Sequence, residues 1–160
     1  MKRRFDATTD LQIEREIAVP TALVWDAWTQ PEHLKKWFCP KPWHVTECEI
    51  DLRPGGVFHF KMQGPNGEKQ EFTTCYLEVV KHERLIWSTV MRPGFRPAPV
   101  ATEPPDFTAI VEFTSLGAAK TKYVATAMHR DRASRDTHDK MGFTEGWGTA
   151  TEQLVRMLGG

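Results

Sequence analysis

Six histidines hold most of the acid–base and metal-binding potential of this sequence: His33, His44, His59, His82, His129 and His138. Imidazole titrates near neutral pH and is a common metal ligand. A metal site needs ligands at fixed spacings, such as two histidines one helical turn apart. None of the six stands in an HExxH or other paired spacing. No metal and no cofactor is expected. Asp131, Asp136, His138 and Asp139 lie close in sequence, but Arg130, Arg132, Arg135 and Lys140 interleave with them. Such a run reads as a solvated, salt-bridged connector. There is no GxSxG, no phosphate loop and no GxGxxG. Arg53-Pro-Gly-Gly56 joins two strand-like stretches and opens no helix, so it reads as a turn rather than a phosphate cradle. Cys39, Cys48 and Cys75 are odd in number and widely spaced, which argues against a disulfide framework or a CxxC site. Cys39 follows a helical stretch, at its negative end, and reads as inert. No residue is put forward as catalytic.

His129 deserves separate weighing. It ends an alternating stretch in which Tyr123, Ala125, Ala127 and His129 share a face. Its imidazole could donate a proton to a substrate carbonyl. The simpler role is a hydrogen-bonded histidine at the rim of a cavity. Around it stands a generous set of aromatics, with six Trp and nine Phe in 160 residues. Phe58, Phe60, Trp87, Phe107, Phe113 and Tyr123 fall on single faces of strand-like stretches, and Trp147 on a helical one. Each alone reads as core. Together with the small Ala125, Ala127 and Ala150, they outline an internal space whose lining would bind a ligand. Arg15, Glu71 and Glu112 could orient a ligand, but surface positions suit all three better.

The elements that must position these residues are legible from periodicity. Trp147, Ala150, Leu154 and Leu158 recur at helical steps, which predicts one long helix from about Asp139 to Leu158, ended by Gly159 and Gly160. Gly142, Gly146 and Gly148 lie in its first half; each glycine costs a helix roughly 1 kcal/mol relative to alanine. Their presence implies close packing or an open space beside the helix. Before it, the alternation predicts strands at Leu11–Val19, Val45–Asp51, Val57–Met62, Glu71–Lys81, Leu85–Met91, Phe107–Thr114 and Lys120–His129. Two short helices follow the first strand. One carries Leu23, Val24, Ala27 and Trp28 on a face, and the next runs from Glu32 to Phe38. Five prolines between Pro93 and Pro105 predict a loop. The order predicts an α+β fold: a curved antiparallel sheet wrapped around a long C-terminal helix, with a cleft between them. One domain over residues 1–160, with its core at about 11–158, suits this length.

Composition narrows the function classes. Lys plus Arg equals Asp plus Glu at 21 each, so the net charge is zero and no nucleic-acid partner is expected. No apolar run reaches the ~18 residues of a membrane span. The start, Met1-Lys-Arg-Arg-Phe-Asp, lacks the apolar stretch of a signal peptide. With three unpaired cysteines, a cytoplasmic location is expected.

Several segments occur in an order that resembles a known family. They are Pro20-Thr-Ala-Leu-Val-Trp-Asp-Ala-Trp28, Pro31-Glu-His-Leu-Lys-Lys-Trp37, Leu52-Arg-Pro-Gly-Gly-Val-Phe-His-Phe60, Tyr76-Leu-Glu-Val-Val80 with Glu83-Arg-Leu85, and Gly142 to Leu158. The chain resembles the START-like (SRPBCC) superfamily over about residues 11–158. It is most similar to the bacterial branch related to the C-terminal domain of the activator of heat-shock protein 90 ATPase. The resemblance implies a helix-grip fold with a mostly apolar internal cavity, and no shared catalytic signature. The expected function is binding of a small apolar or amphipathic molecule in that cavity, without catalysis. The alternatives are a co-chaperone or stress-response domain with a chaperone partner, and a cyclase- or hydrolase-like enzyme. A homodimer is a further open arrangement.

Overall fold

The computed structural model describes residues 4–101 and 103–159. Met1 to Arg3 of the N-terminal stretch, Thr102 of the proline-rich loop and Gly160 of the expected helix stop lie outside the described residues. The chain runs β1 (Asp10–Ile17), α1 (Thr21–Thr29), α2 (Pro31–Leu34), β2 (His44–Ile50), β3 (Val57–Gln63), β4 (Lys69–Val80), β5 (Arg84–Ser88), β6 (Met91–Arg92), β7 (Arg96–Pro97), β8 (Thr108–Ser115), β9 (Thr121–Met128), α3 (Arg132–Lys140) and α4 (Phe143–Met157). Seven strands form one curved antiparallel sheet in the order β1-β9-β8-β5-β4-β3-β2. The α+β helix-grip architecture expected from the alternation is present.

Register explains which side chains meet beneath the helices. One rung crosses five strands through Leu11, Ala127, Ala109, Trp87 and Tyr76, all buried. The next inward rung holds Ile13, Ala125, Val111 and Leu85. Small and large side chains thus sit side by side, as close packing requires. Helix α1 buries Val24, Trp25, Ala27 and Trp28, while Leu23 is exposed rather than on the inner face. Trp37 Nε1 donates to the Ala27 carbonyl at 3.0 Å and locks the α1–α2 corner.

The structure departs from the expected C-terminal helix. There are two helices, not one. The expected connector Arg130–His138 is mostly helix α3, capped by the Asp131 carboxylate accepting from Ser134 N at 2.8 Å. The chain breaks at Gly142, whose left-handed φ of 93° suits glycine. Helix α4 then starts at Phe143 and buries Phe143, Ala150, Thr151 and Leu154. Periodicity missed the break because apolar spacing continues through it. The proline-rich stretch contains the short ladder of β6 and β7.

Ala127 is fully buried in a filled part of this sheet. Ala127→Phe should overpack it and destabilise the protein by about 1–3 kcal/mol, measured as a lower midpoint in urea unfolding.

Candidate functional site: an aromatic cavity between sheet and helices

A cavity of about 350 Å³ lies between the sheet, the α1–β2 segment and the C-terminal helices. Its floor is the inner face of the sheet, where Phe60, Met62, Phe72, Trp87, Phe107 and Tyr123 contribute. Strand alternation turns these residues to one side. One wall is Trp28, Trp37, Phe38, Cys39, Pro40 and Trp43. The other wall comes from α3 and α4, with His138, Phe143, Gly146, Trp147, Ala150 and Thr151.

Aromatic rings make the frame nearly continuous. Phe38 packs edge-on against Phe60 at 4.9 Å and Trp28 at 5.4 Å between ring centroids. Trp147 stacks on Trp87 at 6.5 Å with an interplanar angle of 11°. Phe107 meets Trp87 at 5.5 Å and His138 at 4.9 Å. Edge-to-face pairs of this kind add stability beyond area burial and leave little freedom to the rings. The loop wall is fixed to α4 by one side chain. Gln153 Nε2 donates to the carbonyls of Trp37 at 3.0 Å and Cys39 at 2.8 Å, and its Oε1 accepts from Lys41 N at 3.0 Å.

Of the residues expected to line a cavity, Phe60, Trp87, Phe107, Tyr123, Trp147 and Ala150 do so. Phe58, Phe113, Ala125, Ala127 and His129 lie outside the lining. Phe58 is stacked behind it on Tyr76 at 5.5 Å, and Phe113 packs at 6.0 Å against Trp25. Ala125 and Ala127 are buried in the rungs described above. His129 stands one residue behind the rim, with His138 between it and the cavity. Sequence reading missed the α1–β2 wall and His138 as lining, whereas the open space it expected beside the helix glycines lies at Gly146. The cluster of aromatics around Cys39-Pro-Lys-Pro was the available signal for the first. Trp147 is only half-buried, because it borders the cavity rather than the packed core.

The polar groups are few. Trp28 Nε1 donates to the Tyr123 hydroxyl at 3.2 Å. Tyr123 is also hydrogen-bonded to Thr151, whose hydroxyl donates to the Trp147 carbonyl at 2.8 Å. Burial pushes the Tyr123 phenol far above its ordinary range. Burial also raises the Cys39 thiol to about 11, which keeps it protonated and unreactive. Among the described residues, no group of three or more His, Cys, Asp or Glu is placed to hold a metal ion. Glu71 is exposed and pairs with His59 at 3.3 Å and Lys61 at 3.5 Å, away from the cavity. Arg15 crosses Gly148 of α4 at the sheet edge, where a Cβ would lie 3.2 Å from its guanidinium. His129 Nδ1 lies 2.8 Å from the Thr9 carbonyl, and its Nε2 lies 2.8 Å from His138 Nδ1. Burial, and next the neighbouring His129, hold the His138 imidazole down to about 4. Burial lowers His129 too, opposed by the Thr9 carbonyl and Asp10.

A curved sheet gripping a C-terminal helix over an apolar cavity defines a START-like domain. The chain belongs to the family of activator of Hsp90 ATPase homolog 1-like proteins, which matches residues 18–159. Protein NE0264 from Nitrosomonas europaea is similar at 46% identity over 96% of each chain, with a TM-score of 0.90. Ms6760 from Mycobacterium smegmatis shares 25% identity over 94% of this chain and 91% of its own, with a TM-score of 0.77. The AHSA1 protein from Silicibacter pomeroyi, at 17% identity over 94% and 97% with a TM-score of 0.68, shares the fold. No curated protein matches the chain.

The depressed His138 makes stability depend on pH with a definite sign. Unfolded, the imidazole takes a proton near 6.5; folded, only near 4. The unfolded chain therefore binds the proton first on acidification. The contribution is complete above 6.5 and is lost as pH falls towards 4. Asp131 and Glu71, whose carboxyls are held low by hydrogen bonds, add acid losses of the same sign. Those losses are common to wild type and a His138→Phe variant. Melting curves across this window should therefore show a smaller acid-induced drop in Tm for the variant.

Proposed function

We propose that this chain binds a small apolar or amphipathic molecule in the cavity between its sheet and α4. The observation that carries this reading is an aromatic-walled space of about 350 Å³ at the centre of the fold. That volume falls within the range of small-molecule sites, roughly 300–1,000 Å³. Rigid rings give such a site affinity at low entropic cost, because the walls lose little freedom on binding. The polar groups around it are mostly engaged with one another, so transfer of an apolar molecule from water is the main driving force. Among the described residues the cavity lining holds no carboxylate and no activated nucleophile, which favours binding over hydrolysis or cyclisation. Family membership supports the same reading, since this fold often holds ligands in its cavity. Among the described residues no helix is long and apolar enough to cross a membrane.

Gly146 supplies the test. It lines the cavity at the first turn of α4, and a Cβ there would meet only the Pro40 ring, at 3.8 Å. Gly146→Leu should fill the space without clashing with backbone, and should gain up to about 1 kcal/mol of helix propensity. Binding of an environment-sensitive apolar dye should fall at least tenfold while Tm stays level or rises. Undiminished dye binding by a stably folded Gly146→Leu protein would overturn the reading. Stimulation of a chaperone ATPase by the variant and wild type alike would redirect it to a co-chaperone role.

A further inference from the structure

The His129–His138 pair has only one arrangement of protons when both rings are neutral. The Thr9 carbonyl can only accept, so His129 Nδ1 carries the proton and donates to it. His129 Nε2 is then a bare lone pair. His138 Nδ1, facing it, must donate. That leaves the second lone pair of the chain on His138 Nε2. The His138 ring belongs to the cavity wall, and its Nε2 has no protein partner among the described residues. Backbone geometry at Thr9 thus fixes, through two rings, an acceptor at the edge of an otherwise apolar space.

The Trp87 indole N–H on the cavity floor also lacks a protein partner among the described residues, but it is closed to solvent and so lies out of reach of a cavity ligand. A hydroxyl group has a proton to give, so it complements the unmatched His138 acceptor. A carboxylate has no proton to give to His138, and among the described residues the lining contributes no Lys or Arg to pair with an anion. An ether or hydrocarbon leaves the His138 lone pair unmatched.

We propose that the cavity selects a neutral alcohol or phenol on an apolar skeleton, its O–H donating to His138 Nε2. This rests on the reading of the cavity as a ligand site. His138 is the specificity-determining contact, and His129 is a positioning residue that holds its tautomer. The ordinary acid–base character of the two rings is consistent, since both are held low and stay neutral near physiological pH.

The test uses naphthol, methoxynaphthalene and naphthoate, matched in skeleton and substitution position, with the full-length protein at neutral pH. Calorimetry gives the affinity of each for wild type and for His138→Phe, which keeps a ring between Phe107 and Phe143. Wild type should prefer naphthol over the ether by about tenfold, the worth of one good hydrogen bond. It should prefer naphthol over naphthoate by more. In the variant the naphthol–ether preference should shrink to within about twofold. Independently of any variant, the nitrogen resonance of His138 Nε2 should shift on adding naphthol and stay fixed with the ether. Equal binding of naphthol and ether by wild type, with the His138 resonance unmoved, overturns the proposal and leaves the apolar cavity reading standing. Binding of none of the three overturns both. Tightest binding of naphthoate overturns this proposal alone.

Discussion

The Tyr123 hydroxyl is the point on which the architecture depends. It sits at the meeting of three elements, on β9, beneath α1 and against α4. Trp28 of α1 donates to it, Thr151 of α4 is bonded to it, and Thr151 in turn donates to the Trp147 carbonyl. Tyr123 accepts from Trp28 and Thr151 donates to the Trp147 carbonyl, so each of these buried hydroxyls has a partner. Tyr123 is 1% exposed, so water cannot replace a lost partner. Removing the phenol oxygen would orphan the buried indole N–H of Trp28. The same chain fixes the height of α4 above the sheet, and therefore the depth of the cavity beside it.

From that junction the cavity follows by packing. Thr151 and Ala150 follow Trp147 on α4, and Gly146 precedes it, so one helical face carries a polar anchor, a large ring and two small residues. Gln153, one turn further on, ties the Cys39–Lys41 loop to the helix through three hydrogen bonds. Sheet, loop and helix are then held at fixed separations by polar contacts. The aromatic rings need only frame the space between them. A rigid frame of this kind keeps an apolar space open where a flexible core would collapse to fill it.

Sequence periodicity made the sheet legible, because side chains on strands alternate and one face is buried. It also placed Phe60, Trp87, Phe107, Tyr123, Trp147 and Ala150 at the space. It could not tell filled rungs from the open part. Ala125 and Ala127 look as small as Gly146 and Ala150, yet Trp87, Leu11, Ile13 and Leu85 occupy the volume on their rungs. Three glycines in one helical pattern had three different reasons. Gly142 turns the chain, Gly146 faces the cavity, and Gly148 lies under Arg15. Spacing alone carries none of those distinctions. His138 was hidden for a related reason: charged neighbours made its segment read as solvated surface, while the ring itself points back among Phe107, His129 and Phe143.

The break at Gly142 matters more than a boundary shift. His138 and Trp147 are nine residues apart in sequence. On one continuous helix, with 3.6 residues per turn, they would point about 180° apart. Only one of them could then face the sheet. With α3 ended and the chain redirected through a left-handed glycine, both rings lie against Phe107, at 4.9 Å and 6.2 Å. Phe143, the first residue of α4, bridges them at 5.3 Å and 4.9 Å. The residue that interrupts the helical pattern is therefore the one that brings a neutral imidazole to an aromatic cavity. A substituted residue at Gly142 would strain the left-handed turn, and the disturbance would fall first on the pairing of His138 with His129. The chemistry of the rim and the geometry of the helix break are one constraint, set by a single backbone conformation.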